Sequence, residues 1–163
     1  MSLSDRRQFL ALLGVAPLAA CGFMPVYGPG GTGSAVQGRV AIAAPDDPLA
    51  FSLVSRLEDR IGRASGGPYL LSYRIETSES ALALSDTDDI NRINLSGAIA
   101  YTVTDTGSDV QVQAGEVSTF TAYASSGSPV ATAAARRDAQ ERLMIALADQ
   151  IVARLLAGAD TWA

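Results

Sequence analysis

The sequence lacks histidine and lysine altogether and contains a single cysteine, Cys21. Without histidine there is no Ser-His-Asp or Cys-His catalytic arrangement and no imidazole metal ligand. Without lysine there is no Schiff-base amine and no phosphate-loop lysine. A single cysteine also excludes an internal disulfide. Carboxylates, hydroxyls and tyrosines are therefore the remaining candidates for catalysis, and we expect the chain to hold no cofactor.

Cys21 stands at the end of a short N-terminal apolar segment. Arg6 and Arg7 precede the apolar run Phe9–Ala20, which has the length of a signal-peptide core and is shorter than the roughly 20 residues of a spanning helix. The order Leu18-Ala19-Ala20-Cys21 is typical of a lipoprotein processing site. We predict a signal peptide at residues 1–20 and acylation of Cys21 with chains such as palmitate. The alternative is that Cys21 is a small apolar residue in a buried helix.

The export route is left open by the residues around the two arginines. Arg6-Arg7-Gln8-Phe9-Leu10 resembles a twin-arginine signal, but Asp5 and Ala11 depart from the residues usual beside it. Twin-arginine export and general secretion therefore both agree with the sequence.

Acidic residues dominate the chain once the signal peptide is removed. The remainder has 10 arginines and 16 acidic residues, a net charge of −6, and this predicts no nucleic-acid partner. Residues 21–35 are rich in Gly, Pro and Ser and are typical of a flexible tether. Residues 36–163 are long enough for one domain with a core of its own.

A cluster of acidic residues at Asp86, Asp88 and Asp89 is the main candidate for other chemistry. Paired carboxylates serve glycosidases, and a loosely held calcium ion is a second possibility. The cluster lies between two strand patterns, where acidic residues form solvated turns, and it lacks a full EF-hand loop. We therefore predict a structural turn and no metal site. The glycines at positions 28, 30, 31 and 33 follow no strand and do not have the spacing of a dinucleotide-binding loop.

Hydrophobic periodicity predicts a strand and a helix in the first half of the domain. Val36–Ala44 alternates as a strand does, and Asp46-Asp47-Pro48 is typical of a helix start. A right-handed crossover is expected to join this strand to the next one. The apolar stripe of the helix consists of Ala50, Leu53, Val54, Leu57 and Ile61.

Three further strands and a long helix follow. Alternation predicts strands over Tyr69–Ser78 and Ile93–Val103, and Asp105–Ser108 reads as a hairpin connection. The fourth strand begins at Val110, and a change of phase at Ala114-Gly115 predicts a β-bulge there. The last helix is expected over residues 131–156, with an apolar side formed by Ala135, Ala139, Leu143, Ala146, Leu147, Ile151 and Leu155.

This order of elements predicts an α+β fold. Two amphipathic helices can cover the apolar face of one sheet. We expect a two-layer sandwich in which both helices pack on one face of a four-stranded mixed sheet.

Several segments together resemble a known family. Cys21-Gly22-Phe23-Met24-Pro25-Val26-Tyr27-Gly28 is similar to the start of the lipopolysaccharide-assembly lipoprotein LptE of alphaproteobacteria. The strand Arg92–Val103, the strand Gly115–Tyr123 and the Ala-rich last helix also resemble that family. The resemblance implies a four-stranded sheet with two helices and a role without catalysis.

The resemblance also implies partners and a location. Members of the LptE family sit in the lumen of the outer-membrane β-barrel LptD, help it assemble and assist lipopolysaccharide insertion into the outer leaflet. The chain is then expected at the periplasmic face of the outer membrane, held by its acyl chains. A different reading is an auxiliary periplasmic lipoprotein of another envelope machine, either a lipid-transport ABC system or a peptidoglycan-synthesis activator.

Two arginines are the candidates for contact with lipopolysaccharide phosphates. Arg74 and Arg92 point away from the apolar faces of their predicted strands, and a guanidinium binds phosphate oxygens in pairs. The alternative is that both are ordinary solvated strand residues.

Overall fold

The computed structural model describes residue 28 and residues 31–82, 91–125 and 128–163. The signal peptide, Cys21 and the acidic cluster at Asp86, Asp88 and Asp89 therefore lie outside the described residues. The elements are α1 (Thr32–Val36), β1 (Val40–Ile42), α2 (Pro48–Ile61), β2 (Tyr69–Leu82), β3 (Asn91–Asp105), β4 (Val110–Ser125), α3 (Pro129–Gly158) and a 3-10 turn at Ala159–Thr161.

The four strands form one sheet in the order β1-β2-β3-β4. β1 runs parallel to β2 because α2 connects them, whereas the β2–β3 and β3–β4 pairs are antiparallel hairpins. In the second hairpin, Asp105 Oδ1 accepts hydrogen bonds from the backbone N–H groups of Gly107 and Ser108. The predicted α+β fold with a four-stranded mixed sheet is confirmed.

Helix α2 begins as its sequence predicts. The Asp47 carboxylate accepts a hydrogen bond from the Ala50 N–H at 2.7 Å, and Pro48 occupies the first turn. The helix ends before Gly62, which has a φ of 80°, a value that favours glycine. Its buried residues are the predicted stripe of Ala50, Leu53, Val54, Leu57 and Ile61.

Helix α3 packs against the sheet and against α2 at the same time. Its cap is Ser128, whose side chain accepts from the Ala131 N–H. Because α3 contacts both the sheet and α2, its buried surface is wider than the one apolar stripe that the sequence predicts. The prediction that Ala146 joins this side is wrong, because Ala146 is exposed. The additional buried residues are Met144, Ala148 and Val152.

The first predicted strand, Val36–Ala44, is wrong in its first half. Val36 is the last residue of α1 and is fully buried, and the strand covers Val40–Ile42 only. Between them Gly38 takes a φ of 70° and its N–H donates to the Ile61 carbonyl at 2.8 Å, which turns the chain before the strand begins. Helix α1 also includes residues 32–35, which we expected to be flexible tether.

The predicted β-bulge exists but lies nearer the hairpin. Val103 pairs with Gln113 and Thr104 with Gln111, which leaves Val112 without a partner. Gly115 is regularly paired with Tyr101, and a Cβ on Gly115 would come within 2.8 Å of the Tyr101 hydroxyl oxygen. Glycine at position 115 therefore permits close approach of a buried tyrosine and does not mark the bulge. Val112 is half-buried against the core, and Val117 is fully buried.

The core lies between the two helices and one face of the sheet. In the described part of the chain every fully buried side chain is apolar. Gly97 of β3 lies under α3, since a Cβ at this position would come within 2.9 Å of Leu143 Cδ2 and 3.1 Å of Leu147 Cδ1. The absence of a side chain at Gly97 thus lets the helix approach the sheet closely.

The 3-10 turn after α3 folds back onto the sheet through Trp162. Its indole Nε1 donates to Gln113 Oε1 at 2.8 Å, and the Gln113 amide donates to the Arg154 carbonyl at 2.9 Å. The Tyr69 hydroxyl donates to the Trp162 carbonyl, and the two rings meet edge to face with centroids 4.8 Å apart. These contacts close one end of the sandwich.

Candidate functional site

The sheet face opposite the helices is not covered by any other described element. Strand register places the even-numbered residues of β2 and β3 on this face, together with those of β4 from Ala114 onward, for example Arg74 opposite Ala100 and Ala100 opposite Glu116. All of them with a described side chain are exposed or half-buried. We call this surface the open face. Its small residues include Ser72, Ser78, Ser80, Asn94, Ser96, Ala98, Thr102, Ser118 and Ala122.

The charges of the open face are few and balanced. Arg74 and Glu76 lie on β2, Arg92 on β3 and Glu116 on β4. The structure thus places both predicted arginines on the face away from the helices, where both are exposed. Neither forms an ion pair with another described residue.

The structure does not bring Arg74 and Arg92 together. Arg74 pairs with Ala100, eight positions along β3 from Arg92, which corresponds to about 27 Å along the strands. One phosphate group cannot contact both guanidinium groups over that distance. If they bind anions, they do so as two separate contacts at different ends of the open face.

A shallow concavity lies in the middle of the open face, between these two arginines. Its volume is about 530 Å³, and Glu76, Ser96, Ser118 and Phe120 are among the residues that line it. Phe120 is 72% exposed, which is unusual for a large aromatic side chain on a polar face. We did not single out Phe120 from the sequence, although an aromatic residue in the polar row of an alternating strand is a visible signal.

A second groove lies on the helix side, between the end of β4 and the first turns of α3. Its lining includes Tyr123, Arg136, Arg137 and Gln140. Arg136 donates from Nε and Nη2 to the two oxygens of Glu79, each at 2.7 Å, and Tyr123 donates to Glu79 at 3.3 Å. The hydrogen bond from Arg136 holds the pKa of Glu79 below its usual value. This contact joins β2 to α3 across 57 positions of sequence, and no local pattern predicts it.

The described residues offer neither a metal cluster nor a membrane-spanning helix. No group of three or more metal-ligating side chains lies together in residues 31–82, 91–125 and 128–163. Over the same ranges no helix combines the length and the apolar character needed to cross a bilayer.

Comparison with protein families identifies the chain. The LptE family model, described as lipopolysaccharide-assembly, matches residues 37–155. The chain belongs to the LptE family. The match covers α2, all four strands and α3 as far as Leu155, and it begins after the Cys21–Gly28 segment that the sequence resemblance also used. Membership associates the protein with the lipopolysaccharide-assembly machinery of the cell envelope.

Solved structures share this LptE-type fold. A candidate lipoprotein from Caulobacter crescentus CB15 is 21% identical with a TM-score of 0.65, covering 77% of this chain and 93% of the other. Rare lipoprotein B from Shewanella oneidensis is 16% identical with a TM-score of 0.53, covering 72% and 92%. A minor lipoprotein from Acinetobacter baumannii is 17% identical with a TM-score of 0.50, covering 72% and 88%. No curated protein matches the chain.

Proposed function

We propose that this protein is an outer-membrane lipoprotein that plugs an LptD-like β-barrel, helps it assemble and assists lipopolysaccharide insertion into the outer leaflet, without catalysing a reaction. The observation that carries the proposal is the LptE family match over residues 37–155. The uncovered polar face of the sheet gives it a physical basis, because the lumen of an outer-membrane barrel is polar.

The architecture suits a plug. The described core consists of apolar side chains and tyrosines, and none of its buried side-chain polar atoms lacks a hydrogen-bond partner. Polar groups on the surface can be buried against a barrel wall at little cost when they find hydrogen-bond partners there. Apart from Phe120 and Leu70 the open face carries mostly small side chains, and its two charges of each sign make it neutral overall. Such a face can lie close to a polar wall of either sign without strong repulsion.

The proposed location follows from the N-terminal segment. Removal of residues 1–20 leaves Cys21 as an acylated N-terminus, and α1 begins at Thr32. The 10 residues between Cys21 and Thr32 allow a separation of at most about 40 Å when the segment is fully extended. The body would therefore stay close to the periplasmic face of the outer membrane, where a barrel opens.

Loss of the barrel is the expected result of removing the protein. Depletion should reduce correctly assembled barrel and surface lipopolysaccharide together, because a plug supports assembly and occupies the lumen. The measurements are barrel folding by heat-modifiable gel mobility and surface lipopolysaccharide by antibody or phage binding. A tagged mature chain should also copurify a large outer-membrane barrel from its own host.

The alternative function predicts a different result for the same copurification experiment. An auxiliary lipoprotein should copurify a membrane ATPase complex or a peptidoglycan synthase instead of a barrel. Capture of either of those, with unchanged surface lipopolysaccharide after depletion, would refute the LptE-type role.

Arg74 and Arg92 are proposed to contact lipopolysaccharide phosphates. Because they lie about 27 Å apart along the strands, Arg74→Gln and Arg92→Gln should weaken binding independently and additively. The loss should shrink as salt is raised, since exposed charges are screened at about 10 Å in 0.1 M salt. Binding of purified lipopolysaccharide at two salt concentrations measures this.

The matched control is Arg137→Gln, which removes an exposed arginine of α3 that, like Arg74 and Arg92, forms no ion pair with another described residue. It should leave lipopolysaccharide binding unchanged. Equal weakening by all three substitutions would mean that binding follows net charge alone and that the two strand arginines have no special role.

A further inference from the structure

Strand β4 is a long, unpaired edge of the sheet. It has 16 residues, whereas strands usually have five or six. One side pairs with β3 along its whole length, and no other described strand pairs with the outer side. A free edge of this kind presents unpaired backbone N–H and C=O groups that can pair with another chain.

This edge lacks the usual protection. Proteins shield sheet edges with charged side chains, proline or very short strands. In β4 the only charged residue is Glu116, and there is no proline. Phe120 and Val110 are 72% and 56% exposed. β2, whose outer side is free beyond the three positions paired with β1, carries Arg74, Glu76 and Glu79.

Two features bound the unprotected stretch. The bulge at Val112 interrupts regular geometry near the hairpin. Near the other end, Arg142 Nη2 from α3 donates to the Ala122 carbonyl at 3.4 Å, while its Nη1 lies 3.3 Å from the Asp138 carboxylate. Between them residues 113–121 form a regular strand of about 30 Å whose outer side has no such side-chain cover among the described residues.

We propose that an extended segment of the barrel partner pairs with this edge along residues 113–121 as an additional strand. The identity of the partner rests on the proposed function. Backbone hydrogen bonds supply the affinity in such strand addition, and side chains on alternate positions supply the specificity. On the open face, Glu116 favours a basic residue in the added segment and Phe120 an apolar one.

A second copy of this chain fits the edge poorly. Helix α3 packs mainly on β4 and less on β3, so antiparallel pairing of two β4 strands would crowd two α3 helices side by side on the same face of the joined sheet. Neighbouring strands lie about 4.8 Å apart, whereas packed helices need about 8 to 10 Å between their axes. The occupant is therefore a strand that brings no helix of its own on that side.

Hydrogen exchange of the complex tests the proposal without altering the protein. The mature chain is compared alone and together with the barrel that it copurifies from its own outer membranes. About half of the amides in residues 113–121 point outward, and these should exchange at least about tenfold more slowly in the complex. Slowing confined to the free side of β2, or no slowing on either edge, would overturn the proposal.

A charge reversal provides a second measurement. Glu116→Lys should weaken capture of the barrel about threefold to tenfold, whereas Glu141→Lys, the same change on the exposed side of α3, should not.

The possible outcomes separate the proposed function from the edge pairing. If the unaltered chain captures no barrel, both the proposed function and this inference are refuted. A captured barrel with no effect at β4 refutes the edge pairing alone, and concentration-dependent dimers with slow exchange at β4 would assign the edge to a second copy.

Discussion

Leu147→Ala should destabilise the domain by about 2 to 5 kcal/mol, toward the upper part of the range for buried leucines. Leu147 is fully buried in α3 and faces Gly97 of β3, whose absent side chain brings the helix close to the sheet. Because glycine has no side chain to move into the vacated space, the cavity can close only if the backbone moves. Chemical denaturation followed by the fluorescence of Trp162, the only tryptophan, measures the loss.

Leu70→Ala is the matched control for this prediction. Leu70 lies on the open face and is 37% exposed, so the same truncation should cost less than about 1 kcal/mol. Similar losses for both leucines would mean that α3 does not pack tightly over β3.

A double substitution tests the contact itself. In the unaltered protein, Gly97→Ala places a methyl group against Leu143 and Leu147 and should be unfavourable. After Leu147→Ala the methyl group no longer meets Leu147, and only its contact with Leu143 remains. The two substitutions should therefore be non-additive, with a favourable coupling of about 0.5 to 3 kcal/mol.

Local patterns predicted the elements of this fold because each element is amphipathic. The stripe of α2 and its Asp47 cap, the alternation in β2 and β3 and the long last helix all follow from contacts within one element and one apolar face. The same patterns indicated that both helices cover one side of the sheet, since each strand has a single apolar row.

The failures of prediction involve contacts between distant parts of the chain. Val36 alternates with Val40 and Ile42, yet it belongs to a helix because Gly38 turns the chain beside the end of α2. Gly115 suggested a bulge but provides space for Tyr101 on another strand. The pairing of Glu79 with Arg136 depends on how the sheet and α3 come together, which no local pattern contains.

The candidate surface was predictable only in part. Strand alternation placed Arg74 and Arg92 on the correct face, but their separation depends on strand register. The bulge at Val112 shifts the register between β3 and β4 near their hairpin. It therefore marks where the regular part of the free β4 edge begins.

Cys21→Ala should abolish acylation and processing and keep the protein out of the outer membrane. Without the thiol no diacylglycerol can be attached, and cleavage in lipoproteins of this kind follows that attachment. The variant should therefore accumulate as an uncleaved precursor. Metabolic labelling with palmitate, gel mobility and membrane fractionation measure the three effects.

The number of acyl chains on Cys21 determines how firmly the protein is held at the membrane. One acyl chain binds a membrane only marginally, with an association constant of about 10⁴ M⁻¹, and stable attachment takes two signals. The two or three chains expected on Cys21 would therefore be enough for stable attachment. Met24→Ala, three positions beyond the processing site, is the control and should be labelled and sorted normally. A Cys21→Ala protein that is still cleaved, labelled and found in the outer membrane would show that another residue carries the anchor, and the proposed position of the body beside a barrel would lose its basis.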